Sequence, residues 1–488
     1  MNVSLPSVQE LQLILPQVCL AAFGLSILVV DFLLGPRHKW MNAMGAMLGV
    51  VAAGVALWRL RNAAALGATG FRGTIRVDSF FVFFGFIFLA ATAMVILLSV
   101  RYLETEAAHR GEYYALLLFA ALGMLFLASG MDIVVLFISL ETMAASFYVL
   151  TGYLRSERRS NEAALKYLLL GAFSSGALAY GFSIMYGLSG STHLNDIASS
   201  FALRPTSDVY MMIALVTVAA GLFFKVAAVP FHQWAPDVYE GAPTTITTFV
   251  SVASKAASFA LLLRIFLTAF WPIRGNWEMI VGAVALATMT WGNFAAITQT
   301  NLKRLLAYSS IAHVGYMLLG LVAGNDTGFK GIAFYVLAYA FMTTGAFAIV
   351  ILLRRKGVLG EEIEDMNGLI HRNPVAAVLL LVFLLSLAGI PPTAGFVGKY
   401  FIFLSLVETG HYLLAVFAVL YIIPAVYYYF RIGRHMWMTD VTDPVRPTIS
   451  PGQAVVLAAC TFVSLAGLIY AEPFVRAATY AVLVPFGR

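Results

Sequence analysis

Five basic side chains and one carboxylate stand inside stretches that are otherwise apolar: Lys166, Lys225, Lys255, Arg264, Lys399 and Glu141. A charge at the centre of a bilayer costs roughly 2.5–3.5 kcal/mol on insertion scales. A chain that keeps several must pair them, hydrate them or use them. Glu141 lies in FISLETMAASFYVL, about 15 Å along a helix from Asp132 at 1.5 Å per residue. Lys225 lies in GLFFKVAAVPFHQW, five residues before Pro230, and Lys255 in SVASKAASF, among small residues that permit close helix approach. Lys399 closes TAGFVGK, seven residues beyond the pair Pro391-Pro392. Lys166 stands four residues into its span and can either snorkel to the interface or bend towards Glu141. Arg264, late in its span, is expected to snorkel.

The chemistry open to such a set is proton transfer. Burial disfavours the charged form of an amine, and an approaching carboxylate favours it. Moving Glu141 towards or away from Lys225 would therefore load or unload a proton, with no metal, nucleotide or covalent step. His232, just past Pro230, and His313, in AYSSIAHVGYMLLG, titrate near neutrality and can bridge lysines through water, or serve only as packing residues. Glu141 can equally be a structural ion-pair partner.

Helices that cross a bilayer must position these groups. Residues AVILMFWYC make up 61% of the 488, charged residues 11%, and the mean hydropathy is +0.87. Soluble domains carry about 25% charged residues, so a soluble fold is excluded, as is disorder. The expected fold is an all-α polytopic membrane protein of about fourteen spans, since a helix needs roughly 20 apolar residues to cross. The spans fall near 11–34, 40–60, 79–100, 113–129, 132–154, 162–188, 208–229, 243–270, 277–298, 304–323, 328–353, 374–408, 411–430 and 452–475. The N-terminal MNVSLPSVQELQ lacks a basic leader, so the first apolar run is expected to stay as a span.

Two spans are broken by proline, the seventh at Pro230 and the twelfth at Pro391 and Pro392. Each is the fourth of a five-helix set. Five is odd, so the sets form inverted repeats, and matching breaks point to a transport site near the midplane. The expected organisation is residues 1–112 for helices one to three, 113–270 and 271–436 for the two repeats, and 437–488 for helix fourteen. Odd-numbered loops carry sixteen Lys/Arg, Arg37, Lys303, Arg304 and Lys356 among them, against nine elsewhere, Arg488 included. Both termini are then expected opposite the cytoplasm.

Cys19 and Cys460 stand alone, without a CxxC or a Cys/His cluster, so no metal site is expected. No phosphate-binding glycine loop occurs either. The strings NEAALKYLLLGAFSSGALAYG, KVAAVPFHQWAPDVYEGAPT, NLKRLLAYSSIAHVGYMLLG and RNPVAAVLLLVFLLSLAGIPPTAGFVGKY closely resemble the N subunit of bacterial NADH-quinone oxidoreductase, respiratory complex I. The resemblance is strong over residues 132–400. It implies an antiporter-like membrane-arm subunit of the bacterial inner membrane, with a relay through Glu141, Lys225, Lys255 and Lys399. It also implies a modulating Lys166 and relay or water-organising roles for His232 and His313. Its partners would be the other membrane-arm subunits, with NADH, FMN, iron–sulfur clusters and quinone held in other subunits of the complex. Two further readings stand beside it: a subunit of a multisubunit cation/proton antiporter, and a non-pumping scaffold whose charges brace helices.

Overall fold

In hydrocarbon every backbone N–H and C=O must find its partner within the protein, and the chain meets this with helices almost throughout. The computed structural model describes residues 7–35, 38–355, 358, 360–469 and 471–486; Arg37, Lys356 and Arg488, counted above for orientation, lie outside these. The first six spans are α1 (Leu15–Leu33), α2 (Met41–Arg59), α3 (Ser79–Thr105), α4 (Gly111–Ser129), α5 (Ile133–Thr151) and α6 (Arg158–Ser189). The seventh is broken into α7a (Val209–Val226) and α7b (Trp234–Gly241). Then come α8 (Thr244–Ala269), α9 (Arg274–Ile297), α10 (Leu302–Ala323) and α11 (Asp326–Leu353). The twelfth is again split, into α12a (Pro374–Ala388) and α12b (Ala394–Glu408), followed by α13 (Tyr412–Met438) and α14 (Pro451–Ile469).

Short polar side chains start these helices where the sequence turns apolar. Asp78, Asp132, Asp208, Asn301, Asn325 and Asn373 each accept from backbone N–H groups in the first turn of α3, α5, α7a, α10, α11 and α12a. That satisfies donors the helix itself leaves open. The fourteen-span layout holds, with α8, α10 and α11 almost wholly enclosed by the others.

Three features were not expected. A two-stranded antiparallel hairpin, β1 (Ala68–Gly70) with β2 (Ile75–Val77), pairs Thr69 with Arg76. A short helix, Leu194–Ala202, buries Leu194, Ile197 and Phe201. Beyond α14 the chain folds back as α15 (Glu472–Phe486), which buries Ala478, Ala481, Val482 and Phe486, and Ser79 of α3 donates to the Tyr480 carbonyl at 2.9 Å. Fifteen residues are too few to cross a bilayer, and the predicted last span ran into this helix at 475.

Two expectations for charged side chains are corrected. Arg264 does not snorkel. It is fully buried, with Nη1 and Nη2 each 2.7 Å from the two oxygens of Asp78 and two further N–H groups on the Ala128 carbonyl. A planar guanidinium matched to a carboxylate and a free carbonyl is satisfied in place. Lys303, counted above among the loop bases, is instead buried in the first turn of α10, 3.0 Å from Glu361 and 2.7 Å from the Ala242 carbonyl.

Candidate functional site

Both breaks end a helix in the left-handed conformation, Ala227 at φ 62° and Gly389 at φ 77°, and both carry a cis X-Pro bond, at Pro230 and Pro392. Backbone groups at each break take side-chain partners. At the first, the Trp234 indole donates to the Phe224 carbonyl at 2.8 Å, and Thr288 of α9 accepts from the Val229 N–H at 3.0 Å. At the second, Lys399 reaches back from α12b to the Ala388 carbonyl at 2.9 Å and the Leu387 carbonyl at 3.4 Å. The two halves there are so close that a Cβ on Gly395 would stand 1.8 Å from the Ser386 carbonyl oxygen. Lys399 thus lies against the negative end of the α12a dipole, a natural seat for a cation.

Glu141 of α5 and Lys225 of α7a come together. Their charged atoms are 3.9 Å apart, and Ser175 of α6 stands between them, donating to Glu141 at 2.5 Å and accepting from Lys225 at 3.2 Å. Lys225 is buried, whereas the Glu141 side chain is 35% exposed. The pair is therefore loose and open on one side.

Lys255 follows a π-helical turn in α8, Val250–Ser254. Such turns insert one extra residue and re-aim the side chains after them. The ammonium is buried, donates to Ser310 of α10 and lies 5.7 Å above the Tyr239 ring. Ser310 in turn accepts from the Tyr339 hydroxyl at 2.6 Å. One helical turn on, His313 meets the Tyr335 hydroxyl at 2.6 Å and the Tyr429 hydroxyl at 3.4 Å, and Ser309 also meets Tyr429. Tyr316, on the next turn, places its ring 4.7 Å from the Lys399 ammonium. One face of α10 therefore runs from Lys255 to Lys399 through Ser310, His313 and Tyr316.

Two expected members stand apart. Lys166 makes its ion pairs with Glu162 at 2.9 Å and Asp237 at 2.8 Å rather than with Glu141. Asp237 is on α7b and is shared with Arg304 at 2.9 Å, so the nearest carboxylate has claimed Lys166. His232 is buried, its ring 5.5 Å from that of Trp291, and its Nδ1 has no hydrogen-bond partner among the described residues. Sequence reasoning overlooked Ser175, Ser310, Tyr335, Tyr339, Tyr429 and Asp237. The serines and tyrosines carry no charge to betray them, though SSIAH does place Ser310 one turn from His313. Among the described residues no group of three His, Cys, Asp or Glu could hold a metal ion.

Buried amines held by hydroxyls and helix-end carbonyls, beside two helix breaks, make this an antiporter-like membrane subunit in class. A family model described as NADH:quinone oxidoreductase/Mrp antiporter, TM, matches residues 129–423. NADH-quinone oxidoreductase subunit N 2 of Solibacter usitatus is 55% identical over 475 residues, covering 95% of this chain and 96% of that protein. Subunit N 1 of Koribacter versatilis is 51% identical, covering 96% and 95%. Among solved structures, a chain of respiratory complex I from Thermus thermophilus with bound aureothin superposes with a TM-score of 0.78 at 30% identity, covering 96% of this chain and 98% of that one. A chain of the Mrp complex from Dietzia superposes with a TM-score of 0.85 at 19% identity, covering 98% of each, a likeness of fold alone. The chain belongs to the NADH-quinone oxidoreductase subunit N family.

Proposed function

We propose that the chain carries protons across a bacterial inner membrane as a membrane-arm subunit of NADH-quinone oxidoreductase. The relay runs through Glu141, Lys225, Lys255 and Lys399, with His313 between the last two. The observation that carries this reading is that Lys255 and Lys399 are buried with no carboxylate within ion-pair distance among the described residues, yet each is held by neutral oxygens. Bracing charges would be paired, since a lone buried ammonium is costly. An amine that can be neutral or charged suits proton transfer.

The related names support the partners: the other membrane-arm subunits, with NADH, FMN, iron–sulfur clusters and quinone handled elsewhere in the complex. The Lys/Arg excess in odd loops supports termini on the periplasmic side. The breaks support residues 113–270 and 271–436 as the two repeats, with 1–112 and 437–488 flanking them. Pushing one proton against 100 mV costs about 2.3 kcal/mol, so a driving partner is physically required. A sodium site would want several oxygen ligands near the midplane, and Glu141 is the carboxylate in that row, which weighs against cation exchange.

The test replaces Lys225, Lys255 and Lys399 singly with Met and measures NADH-driven proton uptake and quinone reduction in membrane vesicles holding the assembled complex. Normal coupling in all three variants sinks the relay. Recovery of antiporter subunits, with no NADH-oxidising arm, on affinity purification from native membranes would reassign the complex.

A further inference from the structure

The C-terminal ends of α3 and α11, the segment before α14 and its first turn enclose a cleft of about 560 Å³ on the basic side of the protein. Five arginines line it: Arg101, Arg354, Arg355, Arg372 and Arg446. Four carboxylates take part of this charge. Glu104 holds Arg101 at 3.5 Å, Glu106 and Glu157 hold Arg354 at 2.7 and 2.9 Å, and Asp443 holds Arg355 and Arg372. Arg372 gives two further donors to the Val445 and Asp365 carbonyls.

Several donors are left over. Each guanidinium has five N–H groups. Nη1 of Arg354, Nε and Nη1 of Arg355 and the whole head of Arg446 make no hydrogen bond to any described residue. Gln453, buried on the first turn of α14, accepts from the Ser450 N–H through its oxygen and also lines the cleft. The positive end of the α14 dipole lies there too. Apolar side chains, Leu352, Leu353 and Val445 among them, line another part of the cleft, beside Thr105 and Thr448. Arginine forks lining one cleft match phosphate oxygens, and basic pockets between the ends of spans are where anionic lipid head groups bind.

We propose that this cleft binds the phosphate of an anionic phospholipid, seated by Arg446, Arg355 and Arg101 with its acyl chains along the apolar rim. The assignment is independent of the proton relay. The test reconstitutes the full chain in nanodiscs of phosphatidylglycerol or phosphatidylcholine and counts retained lipid by native mass spectrometry. Wild type is expected to retain phosphatidylglycerol selectively. The double variant R101Q/R446Q is expected to lower that retention roughly 30-fold, at about a factor of five for each guanidinium near the surface. R59Q/R476Q, which removes two exposed arginines elsewhere, is expected to leave it unchanged. No lipid preference in wild type, or equal losses in both double variants, would overturn the site. Thermal protection by inorganic phosphate alone, equal in the two bilayers, would overturn the lipid and leave a soluble phosphate as ligand.

Discussion

Arg264 with Asp78 and Lys225 with Glu141 are both ion pairs within the membrane-spanning bundle, and they are built in opposite ways. The first is closed: two 2.7 Å bonds, a carbonyl on the far side, and both side chains essentially inaccessible. The second is 3.9 Å across, has a serine in the gap and leaves its carboxylate a third exposed. A closed pair has one arrangement and fixes α8 against α3. A loose pair has more than one, and only such a pair can change its charge without dismantling the packing.

The contrast predicts which losses fall on stability and which on transport. Asp78→Ala strands a buried guanidinium and is expected to cost roughly 3–5 kcal/mol, read as loss of the folded chain from membranes or a steep fall in denaturation midpoint. Adding Arg264→Met should recover much of it; no recovery would mean that Asp78 acts as the α3 cap rather than as the counter-ion. Lys255→Met is expected to leave assembly intact and abolish proton uptake driven by NADH. Glu141→Gln should move stability by no more than about 1 kcal/mol while lowering pumping; a stability loss as large as that of Asp78→Ala would erase the distinction between the pairs. Ser310→Ala, which removes the acceptor of Lys255 but keeps the amine, should slow pumping less than Lys255→Met.

A further expected effect, read against pH, concerns Glu361, outside the spans. Burial pushes its carboxyl up, but the Lys303 ammonium beside it, with Arg159 and Arg354, more than offsets that and holds it below the usual carboxylate range. Its stabilising contribution is therefore complete above the unfolded value, near 4.3, and fades as pH falls through the lower folded value. Glu361→Gln should flatten the acid limb of the denaturation midpoint against pH and leave the neutral plateau lower; an unchanged acid limb would show that other carboxylates carry it.

The lysines were legible in the sequence because charge in an apolar stretch is conspicuous, and the breaks because proline cannot continue a helix. What holds the lysines was not. Ser175, Ser310 and Tyr339 are ordinary in helices, and only packing between α6, α7a, α8, α10 and α11 aims their hydroxyls. Arg264 was misread because its partner lies 186 residues away, at the cap of α3. Lys166 was read towards Glu141 because Asp237 came within reach only once α7b had turned back beside α6. The terminal α15 escaped because its apolar run, opened by Glu472 and Arg476, is too short to read as a span.

Glu141 is open on the same side of α5 as Val134, Ile138 and Val149, which are exposed and apolar. A carboxylate facing hydrocarbon at that depth would be heavily penalised, so this flank suits a protein neighbour better than lipid. On the proposed relay the chain is an unfinished wire: the Glu141 end of the row is a bare contact. The unit that moves a proton is then larger than this polypeptide, and isolating the subunit would remove a terminal of the circuit along with its support.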